Sequence, residues 1–298
     1  MRDGAAVFHD MRRATGPKMT SDAAASNEAD EAVVMAPDFF RRTITVALTS
    51  ALAVAALGCA PALRRAEPFD AGEVTRETVR LQLPAGATDV DVYWPQAVRQ
   101  APMVIIVHGF SRSRRNMSGW GRHLAKEGMV ALVPDLPTHA DHARNGRFIS
   151  ELRAHMLDDD AFTQRIDPGR VGLLGFSAGG LSSLLSAADS PVAVWVGLDP
   201  VERDGLGAKA AARVRARAVV LTAEPSSCNA DGNARDLVTA LVEGQHVAIP
   251  GAVHGDAEWP TGWLAELACG RSTDDKRAQF RVLATTALKD AFALPKAQ

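Results

Sequence analysis

A chain of 298 residues, 47% of them hydrophobic, is long enough to bury one large core, and a single catalytic-size domain is the expectation. Its 33 basic and 35 acidic side chains almost cancel, no long basic stripe is present and there is only one Tyr, which argues against nucleic-acid binding. No internal repeat and no sustained heptad pattern occurs, so the solenoid, fibrous and coiled-coil classes are excluded.

Residues 1–34 are polar and Ala-rich without amphipathic periodicity, and disorder is expected there. From Met35 the text changes: Arg41 and Arg42 form a positive start, residues 43–57 an unbroken apolar run, and Gly58-Cys59 a small-residue end. That is the layout of a secretory signal over 35–59. A membrane-spanning helix is the competing reading, but an apolar run of about 15 residues is short of the roughly 20 a bilayer core requires. Because Met35 opens the pattern, it is read as the true start and residues 1–34 as an over-long gene call; a precursor found by amino-terminal sequencing to begin at Met1 would overturn this. The end "ALGC" resembles a bacterial lipobox with Ala56 where Leu is usual, so Cys59 is either lipidated, anchoring the protein to a membrane, or lost in ordinary signal cleavage. The arginine pair in "FFRRTITVAL" resembles a twin-arginine signal more loosely. Residues 60–74 read as a linker and 75–298 as the catalytic domain.

Through that domain, strand-length apolar runs alternate with helical stretches. "TVRLQL" and "TDVDVYW" alternate with period two and suit an antiparallel opening pair. "PMVIIV", "MVALVP", "RVGLLGF", "VAVWVGL", "RAVVLTA" and "HVAIP" are mostly apolar throughout, as expected of parallel strands buried on both faces. Helices are expected in "NMSGWGRHLAKEG", "GRFISELRAHMLDDDAFTQR", "AGGLSSLLSAAD", "NARDLVTALVEG" and "KRAQFRVLATTALKDAF", with Gly128 and Gly244 as helix stops. The repeated strand, helix, strand order predicts an α/β fold with a mostly parallel central sheet covered on both faces.

Chemistry in such sheets gathers at the carboxyl ends of the strands. Ser177 follows "RVGLLGF" inside "GFSAGG", with glycines where a tight strand-to-helix turn excludes side chains, the pattern of a nucleophile elbow. An ordinary glycine-rich turn is the bland alternative, and the flanking strand and helix count against it. His254 follows the last strand in "GAVHGDAEW", in the place of a general base. Asp199 ends a strand in "GLDPV" and is the preferred orienting acid, with Asp231 the runner-up and Glu224 a further rival after the next strand. His108-Gly109-Phe110 follows "PMVIIV", and the Phe110 and Ala178 amides are the expected oxyanion donors. His139 and His142 have no third ligand nearby in sequence and read as loop residues at the cleft rim. Cys228 and Cys269 remain as an even pair in an exported protein, either a disulfide or two buried thiols. Neither has a metal-ligand spacing to another Cys or His, so no metal is expected.

"VIIVHGF", "GFSAGG", "GLDPV" and "AVHGDAEW" resemble the α/β-hydrolase superfamily, in particular its chlorophyllase-like branch. They are similar also to platelet-activating-factor acetylhydrolases and to cutinase-like polyester hydrolases. In the chlorophyllases and acetylhydrolases the acid follows the strand next after the nucleophile, which implies Asp199. The polyester hydrolases keep it one strand later, which implies the Glu224 to Asp231 region. Phe176 and Ala178 replace the His and Arg usual beside the chlorophyllase nucleophile, so chlorophyll is not implied as substrate. Dienelactone hydrolases use a Cys where this chain has Ser177. The short connection after Asp199 leaves little or no room for a lid. The implied activity is ester hydrolysis outside the cytoplasm on a small-molecule or lipid-like ester, with no cofactor. Acyl transfer by the same residues and a non-catalytic envelope binding protein of the same fold are the alternatives.

Overall fold

The structure is a computed structural model that describes residues 74–96 and 98–294. The leader over 1–34, the signal over 35–59 with Cys59, and nearly all of the linker lie outside the described residues.

Among the described residues eight strands form one sheet in the order β1-β2-β4-β3-β5-β6-β7-β8. They are β1 (Val74–Leu83), β2 (Gly86–Pro95), β3 (Ala101–Val107), β4 (Val130–Pro134), β5 (Ile166–Phe176), β6 (Val194–Leu198), β7 (Arg217–Thr222) and β8 (Gly244–Ala248). β1 pairs antiparallel with β2, and β2 antiparallel with β4; every other pairing is parallel. The expected α/β-hydrolase architecture, with antiparallel opening strands, is therefore what the chain adopts.

The helices are α1 (Ser118–Lys126), α2 (His142–Asp158), α3 (Asp160–Thr163), α4 (Ala178–Asp189), α5 (Leu206–Ala211), α6 (Arg235–Ala240), α7 (Trp263–Cys269) and α8 (Asp274–Ala291). Because strand side chains alternate between faces, β3 feeds two cores at once. Met103, Ile105 and Val107 pack with Phe148, Leu152, Leu184 and Leu237 from α2, α4 and α6, while Val104 and Ile106 pack with Trp120, Leu124, Phe280 and Leu288 from α1 and α8. Helices on both faces leave the central strands no water-facing side, which explains their unbroken apolar runs.

Several expected boundaries move. α2 begins at His142, ahead of Gly146, because Asp141 caps it: its side chain accepts the Arg144 amide at 2.9 Å. Gly146 lies inside the helix, where a Cβ would stand 3.0 Å from the Leu185 Cβ and 3.2 Å from the Ser182 carbonyl, so it permits close packing on α4. Gly128, at φ +88, follows the end of α1 as expected. Gly244 does not stop a helix: α6 already ends at Ala240, and Gly244 opens β8. β8 is the sheet's edge strand, exposed at every position but Val247, and not a buried central strand.

Candidate active site

The order of the sheet reverses at β3, which lies between β4 and β5, and such a switch opens a crevice at the carboxyl ends of the strands. Sheet hydrogen bonding then continues one step past the strand ends. Phe176 on β5 is opposite Leu198 on β6; the Ser177 amide donates to Leu198 O at 3.0 Å and the Asp199 amide to Leu221 O at 2.7 Å. Both chains leave the sheet through left-handed residues, Ser177 at φ +54 and Asp199 at φ +43. Non-glycine residues adopt that region only when their surroundings enforce it.

Around Ser177 the enforcement is steric. A Cβ on Gly179 would stand 2.2 Å from the His108 carbonyl oxygen, and one on Gly175 would stand 2.3 Å from Ser183 Oγ and 2.5 Å from the Gly179 carbonyl. These are turns that only glycine permits, and they draw the start of α4 against the end of β3.

His254 lies in a short 3-10 turn (His254–Ala257) after β8. Its Nε2 is 3.0 Å from Ser177 Oγ and its Nδ1 is 2.6 Å from Asp199 Oδ2. Ser177, His254 and Asp199 are 7%, 7% and 2% exposed, so this chain of hydrogen bonds is largely removed from water and its competition. Asp199 Oδ1 accepts the Ala223 amide at 3.0 Å, and Oδ2 also accepts from Asn229 Nδ2 at 3.0 Å. The ring of Phe176 packs on that of His254 with centroids 4.7 Å apart.

Neither rival acid reaches His254. Asp231 is exposed, at φ +56, and Glu224 turns its Oε1 to the Gly251 amide at 3.0 Å.

The turn after β3 is shaped by His108, which is 4% exposed. Its Nε2 accepts the Leu136 amide at 3.0 Å, so the ring proton lies on Nδ1, which donates to Gly109 O at 2.9 Å. Burial pushes His108 below the usual imidazole range and keeps it neutral, which this pair of bonds requires. Gly109 passes close over the elbow: a Cβ there would be 3.2 Å from the Ser177 Cβ. Neither the Phe110 nor the Ala178 amide has an acceptor among the described residues, and the Phe110 side chain is 60% exposed. His139 meets the Phe110 ring edge-on at 6.4 Å. His142 is not a loop residue but the first of α2, with Nδ1 3.3 Å from Ser182 Oγ.

Sequence reading did not single out Asn229, Arg112 or Glu258. Arg112, two residues beyond Phe110, donates from Nε to Glu258 Oε1 at 2.8 Å, joining the turn after β3 to the segment after His254. Glu258 is fully buried, and burial pushes its carboxyl up to about 7. No local pattern in the sequence marks this pair, whose members lie 146 residues apart. Cys228 and Cys269 are joined by a disulfide that ties the loop after β7 to the end of α7. Among the described residues no three His, Cys, Asp or Glu side chains converge as a metal site, and no helix is long and apolar enough to cross a membrane.

A family model described as PET hydrolase-like matches residues 54–227. A bis(hydroxyethyl) terephthalate hydrolase of Streptomyces coelicolor is 28% identical over 103 residues, 34% of this chain and 33% of that protein. YitV of Bacillus subtilis, named provisionally as an esterase, is 29% identical over 100 residues, 29% of this chain and 39% of that protein. The chain thus spans about a third of the length of the curated relatives it matches. Among solved structures, a dienelactone hydrolase from Anabaena variabilis is similar at a TM-score of 0.58 and 19% identity, covering 73% of this chain and 98% of its own. A dienelactone hydrolase-like promiscuous phosphotriesterase from metagenomic libraries is similar at 0.59 and 18%, covering 74% and 99%. At those identities the two structures speak to the fold alone.

Proposed function

The chain belongs to the PET hydrolase-like family of α/β-hydrolases, and from that premise we propose that it is a serine ester hydrolase working through Ser177, His254 and Asp199. The observation that carries the reading is the buried relay from Ser177 Oγ to His254 Nε2 at 3.0 Å and from His254 Nδ1 to Asp199 Oδ2 at 2.6 Å.

Ser177 Oγ attacks the ester carbonyl carbon while His254 Nε2 takes the hydroxyl proton. Asp199 keeps the other ring proton on Nδ1 and stabilises the imidazolium that forms. The tetrahedral oxyanion is received by the Phe110 and Ala178 amides; losing one such donor costs about 2.7–4 kcal/mol of transition-state stabilisation. The alcohol leaves with the proton from His254, giving an ester of Ser177 with the acyl group. Water, deprotonated by His254, then cleaves that ester and releases the acid.

The site of action is proposed to be outside the cytoplasm, with residues 35–59 as the export signal and Cys59 as either a lipid anchor or part of the cleaved segment. The disulfide between Cys228 and Cys269 supports an oxidising compartment. Residues 60–74 are proposed as the linker and 75–298 as the catalytic domain. The substrate is proposed to be a small ester, and the terephthalate ester named for the Streptomyces relative belongs in the first substrate panel. A fluorophosphonate should label Ser177 in the folded protein and abolish turnover of p-nitrophenyl and terephthalate esters. Folded protein that neither labels nor hydrolyses any ester in the panel would refute the reading.

A further inference from the structure

Asp199 accepts three hydrogen bonds, and one comes from a residue with no part in the reaction just described. Asn229 is 1% exposed, on the loop after β7. Its Oδ1 accepts the amides of Ser226 at 2.8 Å and Gly232 at 3.0 Å, so a flipped side chain would set NH2 against two N–H donors. Nδ2 is therefore committed to Asp199 Oδ2 at 3.0 Å and to the Glu224 carbonyl at 2.9 Å. All four hydrogen-bonding positions of the amide are in use. The oxygen it reaches on Asp199 is the one that accepts from His254 Nδ1.

The loop is built to hold that aim. Ala230, Asp231 and Gly232 follow at φ +50, +56 and +68, three consecutive left-handed residues of which two carry side chains. L residues adopt that conformation in succession only under constraint. Cys228, immediately before Asn229, is fastened to Cys269.

We propose that Asn229 is a positioning residue: its amide locks the Asp199 carboxylate with Oδ2 turned to His254. This rests on the reading of Ser177, His254 and Asp199 as the reacting group. Without Nδ2, the carboxylate keeps, besides the bond from His254 itself, one anchor, the Ala223 amide on Oδ1, and Oδ2 is freer to turn out of the plane in which His254 needs it.

The test is a double-mutant cycle with Asn229→Ala and Asp199→Asn, read from kcat and KM on a p-nitrophenyl ester and from the rate of fluorophosphonate labelling. In the wild-type background Asn229→Ala should lower kcat about tenfold, the scale of a hydrogen bond to a charged group, with KM changed less than about twofold. In the Asp199→Asn background the same substitution should change kcat less than about twofold, since its target is already lost. An equal loss in both backgrounds, or none in the wild type, overturns the proposal. Full activity of Asp199→Asn would instead overturn the reading on which it rests. Should Asn229→Ala not fold, Asn229→Asp has the same shape and keeps both bonds to Oδ1. It sets an acceptor against Asp199 Oδ2, and should lower kcat about tenfold or more near pH 8 beside Asp199 and be neutral or beneficial beside Asp199→Asn. Folded Asn229→Asp with wild-type kcat also overturns the proposal.

Discussion

Replacing Glu258 by Gln removes a titrating carboxyl that is 0% exposed and lies just after the His254 turn. Its Oε1 accepts from Arg112, while Oε2 has no hydrogen-bond partner among the described residues. Burial raises the carboxyl from 4.5 to about 7, outweighing the charge and hydrogen bond of Arg112 and the charge of Arg277, which both act to lower it. The folded protein therefore holds a proton that the unfolded chain releases. Stability from this group is fully present below the unfolded value and is lost as pH rises through about 7. With about 1.4 kcal/mol per pKa unit, the loss between about pH 4 and about pH 8 is on the order of 3 kcal/mol. The amide that replaces the carboxyl cannot titrate, so the unfolding free energy of Glu258→Gln minus that of the wild type should rise by about 3 kcal/mol over that range. Urea denaturation of both proteins at fixed ionic strength, in steps of half a pH unit, measures this directly. A difference that stays flat within about 0.5 kcal/mol, or falls with pH, would refute the reasoning, because the Arg112 pair would then outweigh burial.

Asp199→Asn should lower kcat by about ten-thousandfold through the wrong histidine tautomer, while Asp231→Asn, changed at an exposed side chain, should stay within about twofold of wild type. Steady-state hydrolysis of one p-nitrophenyl ester by both variants decides it, and the reverse pattern would move the acid to the loop after β7. The disulfide closes a loop with a sequence separation of 41, worth about 4 kcal/mol in the chain-entropy limit. Cys228→Ser/Cys269→Ser should accordingly lose about 2–4 kcal/mol of unfolding free energy, and a loss under about 0.5 kcal/mol would mean that the loop is held by other contacts.

The strands that carry the site are legible because the fold buries them completely. "PMVIIV" and "VAVWVGL" have no polar residue because each face meets a helix layer, and the residue after each run is then forced onto the crevice rim. β8 carries nearly as apolar a text in "HVAIP", yet it is exposed, since residue type records preference for a core and not whether a further strand exists to cover the edge. α5 and α7 escape sequence reading for another reason. At six and seven residues they are under two turns, too short for a 3.6-residue period to register, and tertiary contacts rather than propensity hold them.

The same division separates the residues of the candidate site. Ser177 and His254 announce themselves through local grammar, a glycine-framed elbow and a strand-end histidine, because their backbone geometry must be written into their immediate neighbours. Asn229 and Glu258 carry no such signature. "SSCNADGN" reads as any polar turn, and its only local clue is the Asn-Ala-Asp-Gly run, which tolerates left-handed backbone without saying what that backbone aims at. What Asn229 touches is set by β6 and β7 lying side by side, and what Glu258 touches by the turn after β3, 146 residues away from it in sequence in the case of Arg112. On the proposed reading, groups that act on the substrate are visible in the chain's local order, whereas groups that contact them from other loops become visible only once the sheet has brought those loops to one edge. The two places that sequence position leaves open for the acid, Asp199 and the loop after β7, meet in the fold: Asn229 Nδ2 on that loop donates to the Asp199 Oδ2 that accepts from His254 Nδ1.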